Sequence, residues 1–314
     1  MGLKFLTPGM LTTVQDAGRY GYQASGFGTS GAADLFSMRI ANILVGNDPD
    51  EAALEMTMLG ATVAFTSDAV VALTGADMDA TLNGTPVPSY AAIAVAKGDV
   101  LKCGFAKTGL RAYLAVAGGF YLKPVMNSRS TNLKVGIGGY LGRAAKSDDL
   151  LFFNSTAPKV EGIADRKLDR NRYFPKGEVV RVVKGPQYDA FTEEGARTFF
   201  GATYTLTLDS DRMGIKLDGP AIESRNGSDI ISDGIPLGGI QIPKSGKPIV
   251  MIADRQTTGG YAKIATALSV DIPLLAQKKP GETVKFKAVP LWIAHLLYRF
   301  RRHQLKRIQR LWNR

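Results

Sequence analysis

At 314 residues, 45% hydrophobic and 21% charged, the chain has the composition of a globular protein and not of a disordered one. One cysteine, Cys103, excludes a disulfide framework or a paired-cysteine metal site. Both histidines, His295 and His303, lie near the C-terminus, so no imidazole-based nucleophile or zinc centre can form in residues 1–290. The net charge of +11 is uneven: residues 290–314 hold seven Lys or Arg and no Asp or Glu, so the excess says little about nucleic-acid binding by the rest, and none is expected.

A chain of this size buries about three-quarters of its unfolded surface, more than one ordinary core holds, so two packed units are expected. No apolar run approaches the roughly 20 residues that a membrane span needs. Pro8 interrupts the first apolar stretch and no cleavage pattern follows, which points to a cytoplasmic protein without a leader. Asp16 and Arg19 share a glycine-rich turn whose simplest reading is a structural ion pair. Gly26, Gly28 and Gly31 match GxGxxG, but QDAGRYGYQAS before them is not a buried strand, so the motif reads as a turn rather than a dinucleotide fingerprint. No Walker A sequence is present.

Residues 32–45 predict a helix, with Phe36, Ile40, Ile43 and Leu44 at helical spacing and Gly46-Asn47 as its stop. Short apolar, β-branched runs bounded by Gly, Asp or Pro predict strands at 61–65, 69–73, 91–96, 112–116, 150–153, 179–183, 204–208 and 249–252. Asp77 follows the second of these, where a carboxylate faces a cleft or closes a turn. Short helices are expected at 189–198 and 260–268. The polar stretch 155–171 is read as a domain boundary, giving units 1–155 and 172–289. A faint echo of Met78–Gly84 in Met213–Gly219, and of Gly98–Lys102 in Gly281–Lys285, fits a duplication or chance.

Three polar clusters carry candidate chemistry. Ser128-Arg129-Ser130-Thr131, followed by Gly136, Gly138, Gly139 and Gly142, is an anion nest or a pair of tight turns. Asp211-Arg212-Met213-Gly214 and Asp254-Arg255-Gln256-Thr257-Thr258 each set Asp beside Arg after an apolar strand. A helix beginning near Gly260 would offer its amides to an anion there; equally, the Asp and Arg would lock a turn. Residues 290–314 predict a basic amphipathic helix opening at Pro290, with Ile293, Leu297, Phe300, Ile308 and Leu311 along one stripe. It suits an anionic surface, an acidic partner, or packing on the body.

The segments VQDAGRYGY, SGAADLFSM with LVGN after it, LTGADM, RAYLAVAGG, NSRSTNLKVGIGGYLGR, VVKGPQ, SDRMGIKL, ISDGIPLGGIQIPKSGKPI and ADRQTTGGYAKIA occur in that order. By these the sequence resembles the biotin-dependent carboxyltransferase-like family, also labelled allophanate hydrolase subunit 2, over residues 3–288. Ala33 and Asn127 depart mildly from the family's SGAMD and GSRST, and residues 290–314 lie outside its pattern. The resemblance implies a mainly β fold with a few helices, built as two tandem cyclophilin-like β-barrel units. It implies ATP-dependent hydrolysis of 5-oxoproline to L-glutamate in a 5-oxoprolinase complex with subunits A and B, the ATP held somewhere in the complex and no biotin or metal on this chain. The alternatives are a carboxyltransferase component acting on urea-like amides with a separate biotin carrier, or a regulator antagonising a kinase inhibitor. On the first reading Asp254, Arg255 and Asp211 are the catalytic candidates: either carboxylate handles a proton and Arg255, with Arg129 and Arg212, binds anionic groups. Gln256, Thr257, Thr258 and Tyr261 would orient the substrate.

Overall fold

Residues 62–65 alternate between more and less buried positions, as a strand with one face on the core does, whereas 111–116 are buried throughout. The computed structural model describes residues 1–154 and 160–312. It divides into one unit of Met1–Arg19, Ser30–Phe174 and Gln304–Arg314, and a second of Tyr20–Thr29 and Pro175–His303.

The first unit contains β1 (Gly2–Thr7), β2 (Leu11–Gln15), α1 (Leu35–Leu44), β3 (Ala53–Thr57), β4 (Thr62–Phe65), β5 (Ala69–Asp77) and β6 (Thr81–Leu82). It continues through β7 (Thr85–Pro86), β8 (Ala91–Val95), β9 (Val100–Lys102), β10 (Thr108–Val116), β11 (Leu150–Phe152) and the single-turn α2 (Arg170–Tyr173). Two antiparallel sheets form, ordered β11-β1-β4-β9-β6-β7 and β2-β3-β10-β5-β8. Leu3, Phe5, Leu54, Val63, Leu73, Leu101 and Leu114 share one buried core. Asp34 caps α1, accepting from Ser37 N at 2.9 Å, and Phe36, Met38, Ile40 and Leu44 bury the helix against Tyr90 and Tyr113.

The second unit contains β12 (Val179–Lys184), α3 (Glu193–Gly201), β13 (Tyr204–Leu206), β14 (Gly214–Asp218), β15 (Asp229–Gly234) and β16 (Gly239–Gln241). After these come β17 (Ile249–Met251), β18 (Thr258–Tyr261), β19 (Lys263–Ala267), α4 (Ile272–Gln277) and β20 (Thr283–Ala288). Seven strands close a barrel, β12-β19-β16-β17-β14-β13-β20, sealed by the parallel pairing of β12 with β20; β15 and β18 form a separate ribbon. Phe199 fills the barrel core, stacked on Phe286 at 4.7 Å between ring centroids. The last helix among the described residues is α5 (Leu291–Gln309), and no helix among them is long and apolar enough to cross a membrane.

The mainly β reading holds, and all eight strand expectations fall on β4, β5, β8, β10, β11, β12, β13 and β17. The helix expected at 260–268 is instead β18 and β19, and the helix of that region is α4, immediately downstream. Residues 160–174 belong to the first unit, where Ala92 N donates to Arg166 O and Leu168 N to Tyr90 O, and residues 20–29 belong to the second. Ser155, where the first unit was expected to end, and residues 313–314 of the basic tail lie outside the described residues. The sequence echo does not fall on equivalent strands: β6 pairs directly with β9, whereas β13 separates β14 from β20. Phe199→Ala should cost about 3–5 kcal/mol, read as a lowered denaturation midpoint of the barrel, because a fully buried ring leaves a cavity.

Candidate functional site

Pairing of β14 with β17 brings the two Asp-Arg clusters of the barrel side by side. Asp254 N donates to Arg212 O at 2.7 Å. The Arg212 guanidinium grips the Asp254 carboxylate, Nε to Oδ2 at 2.8 Å and Nη2 to Oδ1 at 3.2 Å. Both side chains are buried, 6% and 8% exposed. Asp211 is exposed, and its Oδ1 accepts from Met213 N at 2.7 Å and Gly214 N at 3.0 Å, which fixes the turn into β14. Two of the three catalytic candidates, Asp254 and Asp211, are thus engaged by their own chain.

Arg255 is placed differently. It lies half-buried in the wall of a cavity of about 400 Å³, with Gln23, Thr29, Ile235, Pro236, Gln256 and Thr257 among the lining residues. Its Nε donates to Ile235 O at 3.0 Å and its Nη1 to Thr29 Oγ1 at 3.0 Å. Ile235 N in turn donates to Thr257 O at 3.0 Å, so the carbonyl that receives Nε is itself pinned. Burial pulls the Arg255 guanidinium below its ordinary pKa, Tyr20 acts weakly the other way, and no carboxylate contributes. Arginine stays charged in such surroundings. The cavity therefore presents a fixed, uncompensated cation beside amide and hydroxyl groups, which is the chemistry of an anion or carboxylate site. Its lining holds no Asp, Glu, His, Lys or Cys, so it offers groups suited to holding and orienting a ligand and none of the usual general acids or bases.

Thr258 and Tyr261 sit on the β15–β18 ribbon, both exposed, and do not line this cavity. The expected helix start near Gly260 is absent because Gly259 and Gly260 belong to β18. Sequence reasoning missed Gln23 and Thr29; the only signal there was the glycine-rich turn around Gly26 and Gly28.

In the first unit, Arg129 donates from Nε to Leu122 O at 2.9 Å and pairs through Nη1 with Glu51 Oε1 at 3.3 Å. Ser128 Oγ donates to Asp16 Oδ1 at 2.8 Å, Ser130 Oγ to the same oxygen, and Arg129 N to Oδ2. The glycines after this motif are places of close approach: a Cβ on Gly138 would lie 2.1 Å from Ser130 O, and one on Gly139 would lie 1.9 Å from Thr131 Oγ1. Gly139 N donates to Arg129 O and Gly142 N to Gly138 O, so these amides are occupied within the chain. A second buried network, unsuspected from sequence, joins Glu55 Oε2 to Tyr113 Oη at 2.8 Å and Asp34 Oδ2 to Ser37 Oγ at 2.6 Å. Burial raises the Tyr113 and Tyr90 hydroxyls, the acids Glu55 and Asp34 add to this, and both tyrosines stay neutral. Among the described residues no group of three His, Cys, Asp or Glu side chains is arranged to hold a metal.

The chain matches the family described as carboxyltransferase domain, subdomain A and B, over residues 25–288. It is 39% identical over 285 residues to the C subunit of 5-oxoprolinase from Escherichia coli, covering 90% of each chain. It is 37% identical over 301 residues to the C subunit of 5-oxoprolinase from Haemophilus influenzae, covering 95% of each. Among solved structures it is similar to the urea carboxylase of Kluyveromyces lactis, with a TM-score of 0.89 and 28% identity over 98% of this chain but 29% of that one.

Removing Arg212 would strand a buried carboxylate. Arg212→Ala should destabilise the barrel by about 3–5 kcal/mol, whereas Arg212→Met combined with Asp254→Leu should recover much of that loss. Chemical denaturation of the single and double variants measures both.

Proposed function

The chain belongs to the carboxyltransferase domain, subdomain A and B, family, and on that premise we propose that it is the C subunit of a 5-oxoprolinase, opening 5-oxoproline to L-glutamate with ATP. The observation that carries this reading is the near full-length similarity to the 5-oxoprolinase C subunits of two bacteria. The cavity supports it chemically. 5-Oxoproline is a small γ-lactam with one carboxylate; Arg255 binds the carboxylate, and Gln256, Thr257 and Thr29 hydrogen-bond the lactam amide. Asp254 acts as a positioning residue, holding the strand end through Arg212, and Asp211 shapes the same turn.

ATP fits this cavity poorly. A triphosphate needs several cations or a metal, and the lining offers one guanidinium. The glycine loop of the first unit closes on its own Ser130 and Thr131. We therefore assign ATP to partner subunits A and B, in a cytoplasmic assembly, and derive no step through it on this chain. A carboxyl-transfer reading rests on the fold shared with urea carboxylase, but this chain spans under a third of that protein, and identity is lower.

Reconstitution with subunits A and B should yield glutamate and ADP from 5-oxoproline, and the isolated chain should yield neither. Absence of product with every subunit present would remove the assignment. In the active complex, Arg255→Ala should raise KM for 5-oxoproline about 10- to 100-fold, the loss expected for a charged hydrogen bond, with Arg255→Lys recovering part.

A further inference from the structure

We propose that α5 docks the protein on an anionic lipid bilayer, with its outward face lying in the headgroup layer. The inward face of the helix is already covered: Ala294 and Leu297 pack on Leu268 and Val270. The opposite face carries Trp292, Leu296 and Phe300, exposed by 66%, 58% and 66%, so Phe300 does not share the covered stripe of Leu297 and Ile308 on which the sequence placed it. Spacing of four residues aligns these three along one stripe, and Leu291 at the helix start is exposed as well. Large apolar side chains gathered on one exposed strip mark a contact surface rather than ordinary solvent-facing sequence.

Charge selects the occupant. Arg299 and Arg302 flank the stripe on the exposed side, and Lys306 and Arg307 follow along the same helix. None of these four lies within ion-pair distance of a carboxylate among the described residues, and the sequence has no Asp or Glu after Glu282. Arg302 rests over the ring of Tyr298, another exposed aromatic of the same helix, at 5.9 Å. Nucleic acid would engage the cations but leave the aliphatic Leu291 and Leu296 in water. A bilayer interface takes both: Trp, Leu and Phe enter the acyl boundary while guanidinium and ammonium groups meet lipid phosphates. At 19 residues α5 is long enough to span a bilayer but too polar and charged to do so, so the proposed contact is one in which the helix lies along the surface.

Flotation of the full chain with vesicles tests this. It should rise with vesicles of equal parts phosphatidylglycerol and phosphatidylcholine, stay behind with phosphatidylcholine alone, and be released by high salt. Trp292 and Trp312 are the only tryptophans, so in a Trp312→Phe variant the emission reports Trp292 and should shift to the blue on adding anionic vesicles. Arg299→Glu with Arg302→Glu, and separately Leu296→Ser with Phe300→Ser, should each weaken binding about tenfold or more without changing the melting temperature, since these side chains are exposed. No flotation with anionic vesicles at low salt overturns the proposal. So does Trp292 emission that answers to DNA or to an acidic protein but not to lipid.

Discussion

The Arg255 guanidinium is half-buried without an acid beside it because the adjacent carboxylate, Asp254, is held by Arg212 through two hydrogen bonds. A charge withdrawn from water is tolerated when its donors are satisfied, and Ile235 O and Thr29 Oγ1 satisfy the Nε and Nη1 edges. Those contacts neutralise hydrogen-bonding demand but not charge. The buried pair and the lone arginine are therefore one arrangement: the pair anchors the end of β17 to the entry of β14, and the next residue along the chain is presented, rigid and still cationic, to the cavity. Had Asp254 turned toward Arg255, the cavity would be neutral and Arg212 would be a buried cation without its carboxylate.

Glycine has the opposite use in the first unit. The run from Gly136 to Gly142 has the composition of an anion cradle, yet its backbone lies so close to Ser130, Thr131 and Gly136 that any Cβ at Gly138, Gly139 or Gly142 would collide. Asp16 takes the place that a bound anion would have had, receiving the Ser128 and Ser130 hydroxyls and the Arg129 amide. A motif of hydroxyls, Arg and Gly can thus enclose a carboxylate from its own chain as readily as one from solution.

Much of the fold was legible because barrel and sheet strands here are short, apolar and punctuated. The failure at 260–268 has a definite cause. In YAKIATAL the buried positions are 262, 263, 264, 265, 267 and 268, covered on both sides, so neither a period of two nor of 3.6 stands out. Lys263 is the misleading residue: it reads as a polar face but is almost fully buried, its ammonium bound to Asp233 at 2.8 Å. The six residues of α4 are all buried, so no polar face marks them as a helix either. In the site, the Asp-Arg-Gln-Thr-Thr cluster was visible as polar chemistry. Which of its charges faces a ligand was not, since the Arg212–Asp254 pair joins residues 42 apart and Thr29 arrives from 226 residues away.

The residue types that line the cavity also limit what this chain does by itself. A guanidinium, two amide side chains and two hydroxyls hold a carboxylate and orient an amide, but a lactam is a weak electrophile, and opening it calls for activation of its oxygen and for a base to take a proton from water. The lining offers neither: it has no carboxylate and no imidazole, and the nearest acid along the chain is committed to Arg212. On the function proposed above, ring opening at this cavity would draw those groups from the partner subunits, which is consistent with the side chains that the lining holds.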